Sequence, residues 1–153
     1  MTNSKGAERL MAALRQVSAA EQRHGKAIAR RLNMHATDFE ALSFIVERGA
    51  PTTGEVGRKL GLTSGAVTGV IDRLAERGFV ERVADPRDRR KVVVRPVAAR
   101  IKPVSELFGP IEPALAGLVA RYSQQQIATI EQFLGQASEL VVAHAVKLEC
   151  GRA

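Results

Sequence analysis

Tryptophan is absent from this chain of 153 residues, and aromatic residues make up only 4%. A core must therefore be built mainly from Leu, Ile, Val and Ala, for which the 45% hydrophobic content is ample. Cysteine occurs once, at Cys150. One thiol cannot close an intrachain disulfide, which fits a reducing compartment. Long apolar runs are also missing. The longest, residues 114–120, is far too short to span a bilayer, and residues 1–20 hold no signal-peptide segment. The expectation is a cytoplasmic protein. Histidine is scarce as well: His24, His35 and His144 lie far apart, beside no nucleophile motif and no phosphate-binding glycine loop. Nothing in their spacing builds a metal site. Neither an enzyme nor a bound cofactor is expected.

What the chain does have is positive charge, a formal net of +7. The excess is localised. Residues 1–97 carry 18 Lys and Arg against 11 Asp and Glu, whereas residues 98–149 carry 4 against 5. A basic surplus suits a polyanion, either nucleic acid or an anionic membrane, and its confinement implies two parts with different tasks.

Periodicity supplies the elements. From about Glu8 to Leu32 a helical stripe runs through Leu10, Leu14, Val17, Ile28 and Leu32, with Gly25 leaving room for a bend. Thr37 followed by Glu40 reads as a capping box opening a helix that turns Phe39, Leu42, Ile45 and Val46 inward. Gly49-Ala50-Pro51 stops it. Thr52 followed by Glu55 opens a short helix ending at Gly61, with Val56 and Leu60 inside. Thr63-Ser64 then starts a third helix, in which Val67, Val70, Ile71 and Leu74 recur at i, i+3, i+4 and i+7 until Gly78. Two short helices across a tight glycine turn have the helix-turn-helix layout.

After Gly78 the period becomes two. Residues 79–83 and 91–95 are β-branched runs flanking a charged tip, a hairpin placed where a wing belongs. From about Ala98 the chain is helical again, punctuated by Pro103, Pro110 and Pro113. Ser123 followed by Gln126 opens a last helix, with Ile127, Ile130, Phe133, Leu134, Leu140 and Val141 on one broad face. The expected fold class is mostly α with a small β-hairpin wing. Residues 35–97 form the winged helix-turn-helix, flanked by helical segments at residues 1–34 and 98–153.

The third helix presents Ser64, Gly65, Thr68, Gly69, Asp72 and Arg73 opposite its apolar stripe. Two glycines in one short helix cost about 1 kcal/mol each relative to alanine, and both fall on the outer side, as close approach to DNA requires. Ser64 and Thr68 can bond phosphates or base edges, and the helix start offers amides to phosphate. Asp72 is repelled by phosphate; its expected task is to hold a nearby arginine. The wing tip gathers Arg87, Arg89, Arg90 and Lys91 among Asp85, Pro86 and Asp88, a device for phosphates or the minor groove.

The block Leu60-Gly61-Leu62-Thr63-Ser64-Gly65-Ala66-Val67-Thr68, then Ile71-Asp72-Arg73-Leu74, Gly78-Phe79-Val80 and Asp85-Pro86-Arg87-Asp88-Arg89-Arg90, resembles the MarR family of bacterial winged helix-turn-helix regulators. The resemblance is close over residues 35–96. It implies a homodimer joined by its terminal helices, with Thr63, Ser64, Gly65, Ala66, Thr68, Gly69 and Arg73 at the major groove. It also implies that Arg87 enters the minor groove, oriented by Asp85, and that Arg90 braces the wing against Asp72. Many members are repressors released by small aromatic or phenolic ligands, bound in a crevice for which Met34, His35, Phe39 and Tyr122 are the candidates here. The chain departs from the family pattern at Pro96, Val97 and Arg100, where a Leu-Thr pair and a glycine are usual, and Val97 cannot cap a helix. It also lacks the N-terminal cysteine of peroxide-sensing members.

A reading of another class stays open: a ligand-independent architectural or accessory protein that binds DNA mainly through charge. A membrane-surface role fits less well, because the basic residues cluster on a hairpin rather than along one face of an amphipathic helix.

Overall fold

The computed structural model describes residues 4–85, 88 and 91–150. Element order is α1 (Ser4–Arg31), α2 (Ala36–Arg48), α3 (Thr53–Leu60), α4 (Ser64–Glu76), β1 (Val80–Ala84), β2 (Val92–Pro96), α5 (Ala98–Glu106), α6 (Ile111–Val119) and α7 (Gln124–Cys150). The chain divides into two units, Met1–Leu107 and Phe108–Ala153. This is the mostly helical, winged architecture expected.

In the first unit, Leu42 and Ile45 of α2, Val56 of α3, Ile71 and Leu74 of α4 and Val94 of β2 are fully buried. Each such side chain contributes roughly 1.5–3 kcal/mol relative to exposure. All four stripe residues of α4, Val67, Val70, Ile71 and Leu74, face this core. Two expectations for α2 fail. Val46 stays 41% exposed while Ala41 and Phe44 are buried; it shares the side of Phe39 and Leu42 but stands in the last turn of the helix. The Thr37–Glu40 box is also replaced. Helix α2 starts at Ala36 behind His35, whose side chain makes no capping bond.

The other helix ends follow the sequence closely. Thr52 and Glu55 form a reciprocal box: the Thr52 amide donates to Glu55 Oε2 at 2.7 Å and the Glu55 amide to Thr52 Oγ1 at 3.3 Å. Thr63 caps α4 by accepting from the Ala66 amide at 3.4 Å. Gly61, at φ 63 and ψ 32, supplies the left-handed residue that turns α3 into the link to α4. Helix α1 runs straight through Gly25 in its hydrogen bonding, and that glycine lies against the ring of Phe39.

β1 and β2 pair antiparallel from Val80↔Pro96 to Ala84↔Val92, one residue later in each strand than expected. The segment before α3 joins them, since the Val94 amide donates to Pro51 O at 2.8 Å and Thr52 bridges Val93. The hairpin is thus rooted in the helical core. Beyond it, Val97 precedes α5 with no side-chain cap, as a valine there must, and its amide donates to Phe79 O at 2.9 Å.

The second unit is different in kind. Every residue of α6 is exposed, including Ile111, Leu115, Leu118 and Val119. On α7, Ile130, Leu134, Leu140, Val141, Val142, Val146 and Leu148 are exposed too, and Ile127 and Phe133 are half-buried. The Ser123–Gln126 box is present, at 2.8 and 3.3 Å. Among the described residues no helix is long and apolar enough to cross a membrane.

Candidate nucleic-acid interface

The outer side of α4 is built from small residues. Thr63, Ser64, Gly65, Ala66 and Thr68 are exposed and Gly69 is half-buried. Nothing lies within 4 Å of the position a β-carbon would take at Gly65. The Thr68 hydroxyl donates to Ser64 O at 2.9 Å, so its proton is satisfied within the helix while its oxygen can still accept. The result is a shallow surface that another backbone can approach.

The larger side chains of α4 are committed within the protein. Asp72 pairs with Arg82 of β1 at 2.7 Å, joining the helix to the wing. An arginine partner for Asp72 was expected and Arg82 fills that place; Arg90 lies outside the described residues, as do Pro86, Arg87 and Arg89. Arg73 reaches back to Asp38. Its Nε donates to Oδ2 at 3.0 Å and its Nη2 to Oδ1 at 2.6 Å, a two-point pairing with a carboxylate only 3% exposed. Hydrogen bonding to Asp38 raises the already high pKa of Arg73. Arg77, at the end of the helix, donates to Leu32 O at 2.7 Å and Asn33 O at 2.9 Å, and its guanidinium lies 5.2 Å from the Phe79 ring centre.

At the wing tip the Asp85 amide donates to Lys91 O and the Lys91 amide to Asp88 O, at 2.9 and 2.8 Å. Lys91 Nζ stands 3.6 Å from the Asp88 carboxylate, and Arg95 pairs across the strands with Glu81 at 3.1 Å.

The crevice candidates fall in both units. Met34 is buried, and His35 is the exposed residue preceding α2. Phe39 lines an open groove of about 680 Å³ between α1 and α2, with Glu21, Lys26 and Glu40 at its edges. Tyr122 belongs to the second unit and is 44% exposed, beside Ser123 and Ile130. Among the described residues, no group of three or more His, Cys, Asp or Glu is placed to hold a metal ion.

Three residues with defined roles escaped the sequence reading: Asp38, Arg77 and Arg82. Asp38 carried one usable sign, an acid inside an otherwise inward-facing helical stripe. Such a carboxylate needs a cationic partner to remain charged.

Comparison with known proteins places this geometry in a family. The family model described as MarR family matches residues 32–92. The HTH-type transcriptional regulator YcgE of Bacillus subtilis is 35% identical over 124 residues, 81% of this chain and 80% of that protein. A MarR family protein from Bacillus stearothermophilus superposes with a TM-score of 0.67 at 24% identity, covering 93% of this chain and 99% of that one. A mutant Escherichia coli MarR solved in complex with operator DNA gives a TM-score of 0.55 at 23% identity, covering 90% and 99%. With a relative this similar across four fifths of both chains, and with the family model matching residues 32–92, the chain belongs to the MarR family.

Proposed function

We propose that this protein is a sequence-specific, double-stranded-DNA-binding transcriptional regulator acting as a homodimer on a pseudo-palindromic operator. The observation that carries the reading is the outer face of α4: small, polar and open beyond Gly65, next to a wing tied to the same helix through Asp72 and Arg82. A major groove about 12 Å wide admits such a helix, and twofold symmetry sets half-site centres about one helical turn apart. Residues 35–97 bind DNA in this scheme, with Arg87 and its neighbours Arg89, Arg90 and Lys91 at the minor groove and the flanking phosphates. Residues 1–34 and 98–153 join the two copies, supported by the exposed apolar side chains of α6 and α7. The protein acts in the cytoplasm as a repressor by blocking polymerase. A small aromatic or phenolic ligand releases it, and the α1–α2 groove beside Phe39 supports such a site.

Fluorescence anisotropy with duplex from upstream of the protein's own gene tests this, against scrambled duplex and at two salt concentrations. A preference for the upstream duplex that persists at the higher salt is expected. Equal, steeply salt-dependent affinity for both duplexes would instead make it a charge-driven architectural protein.

A further inference from the structure

We infer that Arg73 and Arg77 are positioning residues, which together clamp α4 onto the corner between α1 and α2 and so set the angle at which that helix meets DNA. The inference rests on the DNA-binding reading above and assigns Arg73 a different task from base or phosphate contact. Arg73 and Arg77 are four residues apart, hence on one side of the helix, and both reach the segment from Leu32 to Asp38.

The two anchors differ in chemistry. Asp38 is buried, and both its oxygens accept from one guanidinium, a fork that lysine cannot reproduce. Arg77 caps the end of α1. There Asn33 sits at φ 50, and the carbonyls of Leu32 and Asn33 turn toward the arginine. A cation is favoured at that helix end, and contact with the Phe79 ring holds it in place. The apolar stripe seats α4 on the core, and Asp72 joins it to the wing. Two anchors, one on the start of α2 and one on the end of α1, fix its direction.

Anisotropy on the full chain tests the clamp, after thermal melts confirm folding. Asp38 is too buried to touch DNA, so Asp38→Asn should lower affinity for the upstream duplex by roughly 3- to 30-fold, as a positional coupling does. The slope of log affinity against log salt should not change, and Arg73→Lys should behave alike. If Asp38→Asn leaves affinity intact or raises it, while Arg73→Gln lowers the salt slope by about one, Arg73 is a phosphate contact and the clamp is wrong. Should Asp38→Asn not fold, Arg77→Gln at the exposed anchor decides by the same criterion, and unchanged affinity there overturns the proposal. Amide hydrogen exchange of residues 32–38 in the free protein supplies a reading without DNA. Faster exchange in Arg73→Lys and Arg77→Gln is expected, and unchanged protection overturns the clamp. A wild-type protein with no preference for the upstream duplex sinks the DNA-binding reading alone and leaves exchange to judge the clamp.

Discussion

Glu55 does two things at the start of α3: it accepts from the Thr52 amide and from the Thr52 hydroxyl. These bonds, the backbone one foremost, hold its carboxyl below its ordinary pKa, so its contribution is full above the unfolded-state value and is lost as pH falls through the lowered one. Glu55→Gln keeps a hydrogen-bonding side chain and removes the charge. At pH 7 it should lower stability by about 0.5 kcal/mol, a figure kept small because the site is exposed to solvent. The gap from wild type should close in melts below the carboxylate range; a gap independent of pH would show that the charge is irrelevant. At the wing, Arg87→Ala should weaken operator binding by more than about 1 kcal/mol, on the scale of a lost charge-assisted hydrogen bond. Unchanged affinity in the anisotropy titration would remove the wing from the interface.

Among the elements, α4 combines two opposing demands. Gly65 and Gly69 weaken it as a helix, and the open space beside Gly65 shows that no packing within the chain requires a glycine there. Gly65→Ala should therefore stabilise the protein by up to about 1 kcal/mol in a thermal melt while weakening operator binding. If binding is unaffected, DNA does not approach that side of the helix. The same helix shows what the sequence makes legible. Its apolar stripe and threonine cap are local, set by spacing within a dozen residues, and could be read directly. The partners of Asp72 and Arg73 are not local: Asp38 is 35 positions from Arg73, and only packing of α2 on α4 brings them together. Thr37 misled for a related reason. Its spacing to Glu40 suits a cap, but α2 begins at Ala36 and the acid of its first turn is drawn to Arg73. The small outer residues of α4 were readable as a surface; the arginine paired with Asp72 and the acid paired with Arg73 were not.

For the whole molecule, the exposed apolar faces of α6 and α7 are what the proposed homodimer has to cover. A nine-residue helix such as α6 is shorter than the roughly 12–15 residues at which an isolated helix becomes even marginal in water, and it buries none of its own side chains. In the homodimer proposed above, packing against a second copy supplies what is missing. Leu134→Asp should shift the protein to monomer in sedimentation velocity and abolish binding to the full operator by removing bivalency. A monomer that bound the full operator normally would exclude the symmetric scheme. These exposed helices also bear on turnover. Below the concentration at which the proposed homodimer forms, α6 and α7 should open more readily and be cut faster by protease. If the proposed homodimer forms, resistance to protease should rise with protein concentration.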